Sequence, residues 1–353
     1  MDADAVFFRE WEGRAPGERR SLARARALGE ALGVLPPDVP VLTVVGSKGK
    51  GTAAVYASAY LAAAGLRVCT VTGPGLRSNR DRIRIDGRAI TPAELAALAG
   101  ELERAIAELP ERRSPDSTTA SPKTPGSKPA GPVASELADG YLSPAGLFML
   151  AGLVRARGAG ADAIVLEAGM GGRSDEVSLV RTDVAAITPV FLEHAGVLGD
   201  TPAEIAREKR GVAGPGTRVV SAPQAPEVAG VLEPAEFVPS GGAGVPPDVL
   251  PSGLGRASAE LGVVLGPALL GRDAPAPPRA KCWRRSSCRA ACRRTPCRDG
   301  TRRCSWTPPS TGRASGRRSR RPGSGGAAST TSWCACRTTR TWTVRWPRWT
   351  GSR

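Results

Sequence analysis

The segment that most constrains this chain is a β-branched apolar run, Val41–Val45 (VLTVV), that stops at Gly46-Ser47-Lys48-Gly49-Lys50-Gly51-Thr52. An alanine-rich stretch follows, from Ala53 to Gly65, with good helix propensity and a glycine stop. Arg67–Thr72 (RVCTVT) then reads as a second strand. Strand, glycine-rich turn, helix and strand make one βαβ unit, and such units build parallel sheets buried on both faces. Ala161–Leu166 and Val184–Ile187 are further short apolar runs of the same kind, each ending at polar residues or glycine. In an open α/β sheet that is the side on which ligands are held. Thr91–Leu109 carries the pattern of an amphipathic helix, with Thr91 as N-cap and Pro92 in the first turn. The expected class is therefore α/β with a mostly parallel sheet.

The loop itself is built for phosphate. Consecutive backbone N–H groups at the start of a helix surround an anion, Lys50 is placed to reach terminal phosphates, and the Thr52 hydroxyl suits a Mg²⁺ ligand. Lys48 is a further cation, either on phosphate or in water. The spacing is shorter than the common G-x-x-x-x-G-K-[ST] form, and an ordinary glycine-rich turn is the alternative reading.

Five segments, in order, resemble the folylpolyglutamate synthase/dihydrofolate synthase family of the Mur ligase superfamily. GSKGKGT is similar to its G-T-N-G-K-G-[ST] loop. Thr72–Gly87 is similar to T-S-P-H-L…ERIRVNG, and Val165–Asp175 to V-L-E-V-G-L-G-G-R-x-D. Glu193–Lys209 is similar to D-H-x-x-x-L-G-x-T-x-x-x-I-A-x-E-K, and Val219–Gln224 to V-V-S-G-P-Q. The resemblance implies a P-loop ATPase domain over residues 1–270 and ATP-dependent amide ligation. A carboxylate would be phosphorylated by ATP and the acyl phosphate attacked by the amine of an amino acid. The substrates implied are a folate-type carboxylate and L-glutamate, with ATP and Mg²⁺, in a cytoplasmic monomer.

Site residues follow by motif. Gly46, Ser47, Lys48, Gly49, Lys50, Gly51 and Thr52 would hold the ATP phosphates. Thr52, Glu167 and His194 would hold metal. Lys50, His194 and Lys209 would serve catalysis, Lys209 as a carbamate. Read from the residues alone, Glu167 is also a solvated strand-end acid, and His194, the single histidine of the chain, is also a structural one. Lys209 also suits a helix C-terminus, where a cation offsets the dipole.

Several motif residues differ from the family pattern. S-P-H-L is Gly73-Pro74-Gly75-Leu76, and L-T-x-F-E is Leu142-Ser143-Pro144-Ala145-Gly146. The run G-G-R-x-D-A-T-N ends in Asp175-Glu176-Val177-Ser178, and H-Q-x-x-N-A is matched by Leu254–Ala259 without its amides. These losses bear on the folate substrate and on part of the nucleotide pocket.

Charge divides the chain at Arg279. Residues 279–353 hold 20 Lys and Arg and one acid, whereas residues 1–278 hold 29 basic and 32 acidic side chains. The last segment also holds seven of eight cysteines and six of seven tryptophans, and of the aliphatic residues beyond alanine only Val344. It cannot bury enough apolar surface to order itself, so a disordered basic tail is expected where the family has a C-terminal α/β domain. Its Arg, Cys, Trp, Ser, Thr and Pro bias is that of GC-rich codons read out of frame. Moved by one base, Lys281–Cys292 can end in P-G-R-L, which resembles a motif of that missing domain. A frameshift near residues 278–281 is the reading adopted. A zinc module is disfavoured by the cysteine spacing, and nucleic-acid binding through the arginines would be nonspecific. Residues 112–136, rich in Ser, Thr, Pro, Lys and Gly, read as a flexible insert. No run of about 18 apolar residues occurs, which excludes a membrane-spanning helix.

Overall fold

The computed structural model describes residues 3–112, 137–241, 250, 251 and 253–271. Residues 113–136 of the expected insert, and all of 279–353, lie outside the described residues.

The β-branched runs form a single eight-stranded sheet. In chain order its strands are β1 (Val41–Val45), β2 (Val68–Val71), β3 (Ile83–Ile85), β4 (Arg88–Ala89), β5 (Ala163–Glu167), β6 (Val184–Ile187), β7 (Arg218–Ser221) and β8 (Glu236–Phe237). Their spatial order is β4-β3-β2-β5-β1-β6-β7-β8. From β2 to β8 every pairing is parallel, and β3 and β4 form an antiparallel flap on β2. β1 lies in the middle, with Val41–Val44 opposite Ile164–Glu167 and Leu42–Val45 opposite Val184–Ile187. The register brings the C-terminal ends of β1, β5 and β6 together, and with them the phosphate loop, Glu167 and Thr188.

Alternation along each strand divides the core between two faces. Val41 and Val45 of β1, with Ile164 and Leu166 of β5, face one layer of helices. It comprises α1 (Ala3–Glu12), α2 (Leu22–Ala31), α4 (Pro92–Ala107) and α5 (Pro144–Ala159), and α6 (Pro202–Arg210) and α7 (Pro226–Leu232) extend it. Leu42 and Val44, with Val165 and Ala186, face α3 (Lys50–Ala63) and α8 (Leu254–Leu270). Each fully buried Leu, Ile or Val contributes roughly 1.5–3 kcal/mol. Phe7 of α1 stacks on Phe148 of α5 at 4.0 Å between ring centroids, tying the N-terminal helix to the first layer.

Local signals explain the boundaries. Thr91 caps α4 in a reciprocal capping box with Glu94, and Pro92 stands in the first turn. Thr201 and Glu204 do the same for α6. The helix after the phosphate loop begins at Lys50, three residues before the alanine run, because Lys50, Gly51 and Thr52 wind into its first turn. No helix among the described residues is long and apolar enough to cross a membrane.

Candidate functional site

The phosphate loop leaves β1 and enters α3 through two glycines in the left-handed region, Gly46 at φ 138° and Gly49 at φ 84°. A side chain at either position meets a neighbour. A Cβ on Gly46 would lie 1.9 Å from Thr188 Oγ1, and one on Gly49 would lie 2.0 Å from Ser258 Oγ. At Gly51 it would lie 3.1 Å from Glu167 Oε2. Glycine is needed here because β6, α8 and β5 close around the backbone. Gly49 is the N-cap of α3 and supplies no side-chain cap, and in the first turn the Gly51 N–H is hydrogen-bonded to the Glu167 carboxylate.

Two lysines converge on one oxygen of this loop. Lys50 Nζ donates to the Gly46 carbonyl at 3.1 Å, and Lys209 Nζ donates to the same carbonyl at 3.0 Å. Lys209 is buried, 1 % exposed, and forms an ion pair with Glu193 at 2.9 Å. Burial holds its amine below the usual lysine range, the Glu193 carboxylate opposes that, and the Lys50 charge adds to it. For Glu193, burial acts upward, but the hydrogen bond and charge of Lys209, with Ser47 and Lys50, hold it below the usual carboxylate range.

Ser47 fastens the loop to the segment after β6. Its N–H donates to the Pro189 carbonyl at 3.1 Å, and its hydroxyl donates to the Phe191 carbonyl and accepts from the Phe191 N–H, both at 3.2 Å. Thr188, at the same strand end, is fully buried, and its hydroxyl has no hydrogen-bond partner among the described residues.

Glu167 stands at the end of β5 between this loop and a second recess. Burial raises its carboxyl above the usual range, against the Gly73 N–H, Lys50, the Gly51 N–H and Arg82. The Gly73 N–H lies 3.0 Å from Oε2. The recess is a cavity of about 200 Å³ between the ends of β2 and β5 and the start of α5. Phe148, Met149 and Leu166 line its apolar side, and Arg82, Glu167 and Glu176 line the polar one. The Arg82 guanidinium sits 4.7 Å from the Phe148 ring centroid.

Arg20 organises the loop after β5. Its NH1 donates to Glu176 at 3.0 Å and to Asp175 at 3.3 Å, and its NH2 donates to the Met170 carbonyl at 2.7 Å. Asp175 accepts from the Met170 and Val177 N–H groups. Burial first, and then the Asp175 charge, raise the Glu176 carboxyl, while Arg20 lowers it. At the far end of the loop, Glu208 accepts from the Gly172 N–H and from the Ser174 N–H and hydroxyl. That places Lys209 beside the phosphate loop.

Of the residues expected from sequence, Gly46, Ser47, Lys50, Lys209 and Glu167 therefore meet at one place, with Thr52 in the first turn of α3. Lys48 is exposed. His194 lies on the exposed segment after β6 at φ 48°, where its carbonyl accepts from the Val197 and Leu198 N–H groups. Among the described residues its imidazole has no hydrogen bond or ion pair, and no three His, Cys, Asp or Glu side chains are grouped as a metal site. Thr52 and Glu167 do offer the hard oxygen donors that suit Mg²⁺, with Glu167 against the neighbouring Gly51. The glycine cradle fits phosphate.

No family model matches the chain. Among curated proteins, the dihydrofolate synthase/folylpolyglutamate synthase of Mycobacterium tuberculosis is 32% identical over 220 residues, 60% of this chain and 41% of its own. That of Escherichia coli is 32% identical over 195 residues, 55% of this chain and 38% of its own. The chain thus spans about two fifths of the length of these relatives. Among solved structures, the ligand-free bifunctional enzyme of Yersinia pestis shares 26% identity at a TM-score of 0.55, covering 75% of this chain and 62% of that one. A bifunctional enzyme with Mn, AMPPNP and L-glutamate bound gives the same figures. E. coli FolC in complex with DHPP and ADP has the same fold, with a TM-score of 0.59 at 21% identity over 78% of this chain and 64% of that one. In sequence and fold together, the described part of this chain is similar to part of folylpolyglutamate synthase/dihydrofolate synthase proteins.

Proposed function

We propose that this chain carries the nucleotide-binding part of an ATP-dependent carboxylate–amine ligase that adds L-glutamate to the γ-carboxylate of a folate. The observation that carries the reading is the glycine cradle at the start of α3, with Lys50 at its mouth and Glu167 beside Gly51. The chemistry needs a nucleotide held by its phosphates and a carboxylate brought to the γ-phosphorus, with charge stabilisation rather than a protein nucleophile. Lys50 leaves the Gly46 carbonyl for the phosphates, and Lys209 stays on that carbonyl and keeps the loop in shape. Thr52 and Glu167 are the residues that would hold Mg²⁺, which would neutralise phosphate charge, and His194 would join them only if the exposed segment after β6 brought it to the loop. The cavity beyond Glu167 takes the acceptor. Carbamylation of Lys209 would turn this cation into an anion and so break its pairing with Glu193.

Relatives in solved structures carry AMPPCP with folate, or AMPPNP with L-glutamate and Mn, which supports nucleotide, metal and substrates of these classes. A second reading keeps the chemistry and changes the acceptor to a non-folate carboxylate. It is favoured by Gly73, Gly75, Ala145 and Gly146, which stand where the family pattern has Ser, His, Phe and Glu. Residues 279–353 lack the aliphatic side chains for a second core, so this chain by itself is expected to give little turnover. The test is transfer of isotope-labelled glutamate to tetrahydrofolate with stoichiometric release of ADP and phosphate. A normal rate refutes the impairment, and transfer to another carboxylate but not to tetrahydrofolate refutes the folate reading.

A further inference from the structure

We propose that Gln224 is a positioning residue for the phosphate loop, its side-chain amide standing in for a backbone rung that the sheet cannot make. The proposal rests on that loop being the nucleotide site. The segment after β6 runs between the loop and the end of β7. On the loop side its backbone goes on pairing beyond β1. The Thr188 N–H donates to the Val45 carbonyl at 2.9 Å, and the Ser47 N–H donates to the Pro189 carbonyl at 3.1 Å. On the β7 side the Ala222 N–H donates to the Ile187 carbonyl at 2.9 Å, and among the described residues no backbone rung follows. Pro189 and Pro223 both lack the N–H that a further rung would use.

Gln224 supplies the rung from its side chain. Oε1 accepts from the Val190 N–H at 2.9 Å, and Nε2 donates to the Thr188 carbonyl at 3.1 Å. One primary amide thus meets the acceptor before Pro189 and the donor after it, as the peptide groups of a neighbouring strand would. Nε2 also donates to the Ser221 hydroxyl at 3.0 Å, and that hydroxyl donates in turn to the Ala222 carbonyl at 2.8 Å. With two acceptors at Nε2 and an N–H at Oε1, only one orientation of the amide is satisfied. Thr188 is fully buried and Val190 is 6 % exposed, so water does not replace these bonds cheaply.

The bonds reach the loop in two steps. Gln224 holds Thr188 and Val190, and Pro189 between them receives the Ser47 N–H. The Ser47 hydroxyl then exchanges hydrogen bonds with Phe191. Ser47 follows Gly46, whose carbonyl takes both Lys50 and Lys209. Gln224 acts through this segment: a shift of residues 188–191 moves Ser47 and the backbone that surrounds a phosphate, and a small misplacement weakens binding without removing a direct contact.

The experiment compares four full-length chains: the parent, Gln224→Ala, Gln224→Met and Gln224→Glu. Each is titrated with AMPPCP and Mg²⁺, and amide exchange is followed residue by residue in the nucleotide-free chain. Gln224→Met keeps the length of the side chain and loses the amide. It is expected to weaken AMPPCP by about tenfold and to speed exchange at Ser47 by a similar factor, as Gln224→Ala does, with Val44 in β1 as in the parent. Gln224→Glu is expected to be as weak near neutral pH. On acidification its affinity is expected to come within about threefold of the parent at the same pH, because a protonated carboxyl both donates to Thr188 and accepts from Val190. Parental affinity and exchange in Gln224→Met overturn the proposal, as does a lack of recovery in Gln224→Glu. Equal acceleration at Ser47 and Val44 also overturns it, since that is general destabilisation. If the parent binds no AMPPCP, the nucleotide reading fails by itself. Exchange at Ser47 then decides, with selective acceleration supporting the positioning role and parental exchange refuting it.

Discussion

Replacing Glu193 by alanine strips the counter-charge from a buried ammonium. Lys209 has 2 % of its side chain exposed and Glu193 has 14 %, and the pair is 2.9 Å apart. Breaking a buried pair by removing one partner costs roughly 3–5 kcal/mol, and the partial exposure of Glu193 sets the loss near the lower figure, about 3 kcal/mol. At roughly 2–4 °C per kcal/mol for a folded body of this size, the midpoint falls by about 6–12 °C.

The pH dependence separates a charge effect from a packing effect. Burial holds the Lys209 amine below its unfolded value, so the folded state binds fewer protons than the unfolded state between the two pKa values. Stability carried by this group therefore rises with pH through that window. Without Glu193 the amine drops further, and the penalty fades as alkali removes its proton. The difference between parent and Glu193→Ala is thus expected to be largest on the acid side and to shrink as the pH rises toward the ordinary lysine range, read by urea unfolding of both chains. A loss below about 0.5 kcal/mol at the acid end, or a loss that does not change with pH, refutes this origin.

Three further outcomes follow from the same geometry. Lys50→Ala is expected to weaken AMPPCP by about 10–100-fold through loss of a charge-assisted contact, with the unfolding midpoint nearly unchanged, as calorimetric titration and melting will show. Gly46→Ala places a methyl group 1.9 Å from Thr188 Oγ1 at φ 138°, and a cost of about 2–4 kcal/mol in denaturant unfolding is expected. Arg20→Met leaves Asp175 and Glu176 without their cation. The Glu176 carboxyl is already raised in the folded state, so the folded state takes up protons first and the loss, about 3–5 kcal/mol at neutral pH, is expected to shrink on acidification toward pH 5. An equal loss at both pH values contradicts that account.

The strands were legible because each is a short β-branched run bounded by turn residues. Val184–Ile187 appears with its expected bounds, and Val41–Val45 is the central strand of the sheet. The start of α3 was displaced by three residues because glycine and lysine have no periodicity to mark a first helical turn. The hairpin of β3 and β4 was not anticipated, since three- and two-residue strands carry too little alternation. In the site, the phosphate loop, Glu167 and Lys209 were legible through contiguous motifs. Arg20 was not, because its partners lie more than 150 residues away and only the folded loop brings them together. The Glu193–Lys209 pair, only 16 residues apart, was hidden because a helix cap and a turn separate the two and no periodicity pairs them. The sequence shows which side chains are present, and the close approach of α5 and the loop after β5 decides which of them share a space.

The cradle between β1 and α3 is proposed to hold a nucleotide by its phosphates through Lys50. Calorimetric titration of AMPPCP with Mg²⁺ into the full chain, beside the Lys50→Ala chain, tests it most directly. Saturable binding at one site is expected in the parent, and binding weaker by about 10–100-fold in Lys50→Ala. No binding to the parent, or equal binding to both chains, would contradict it.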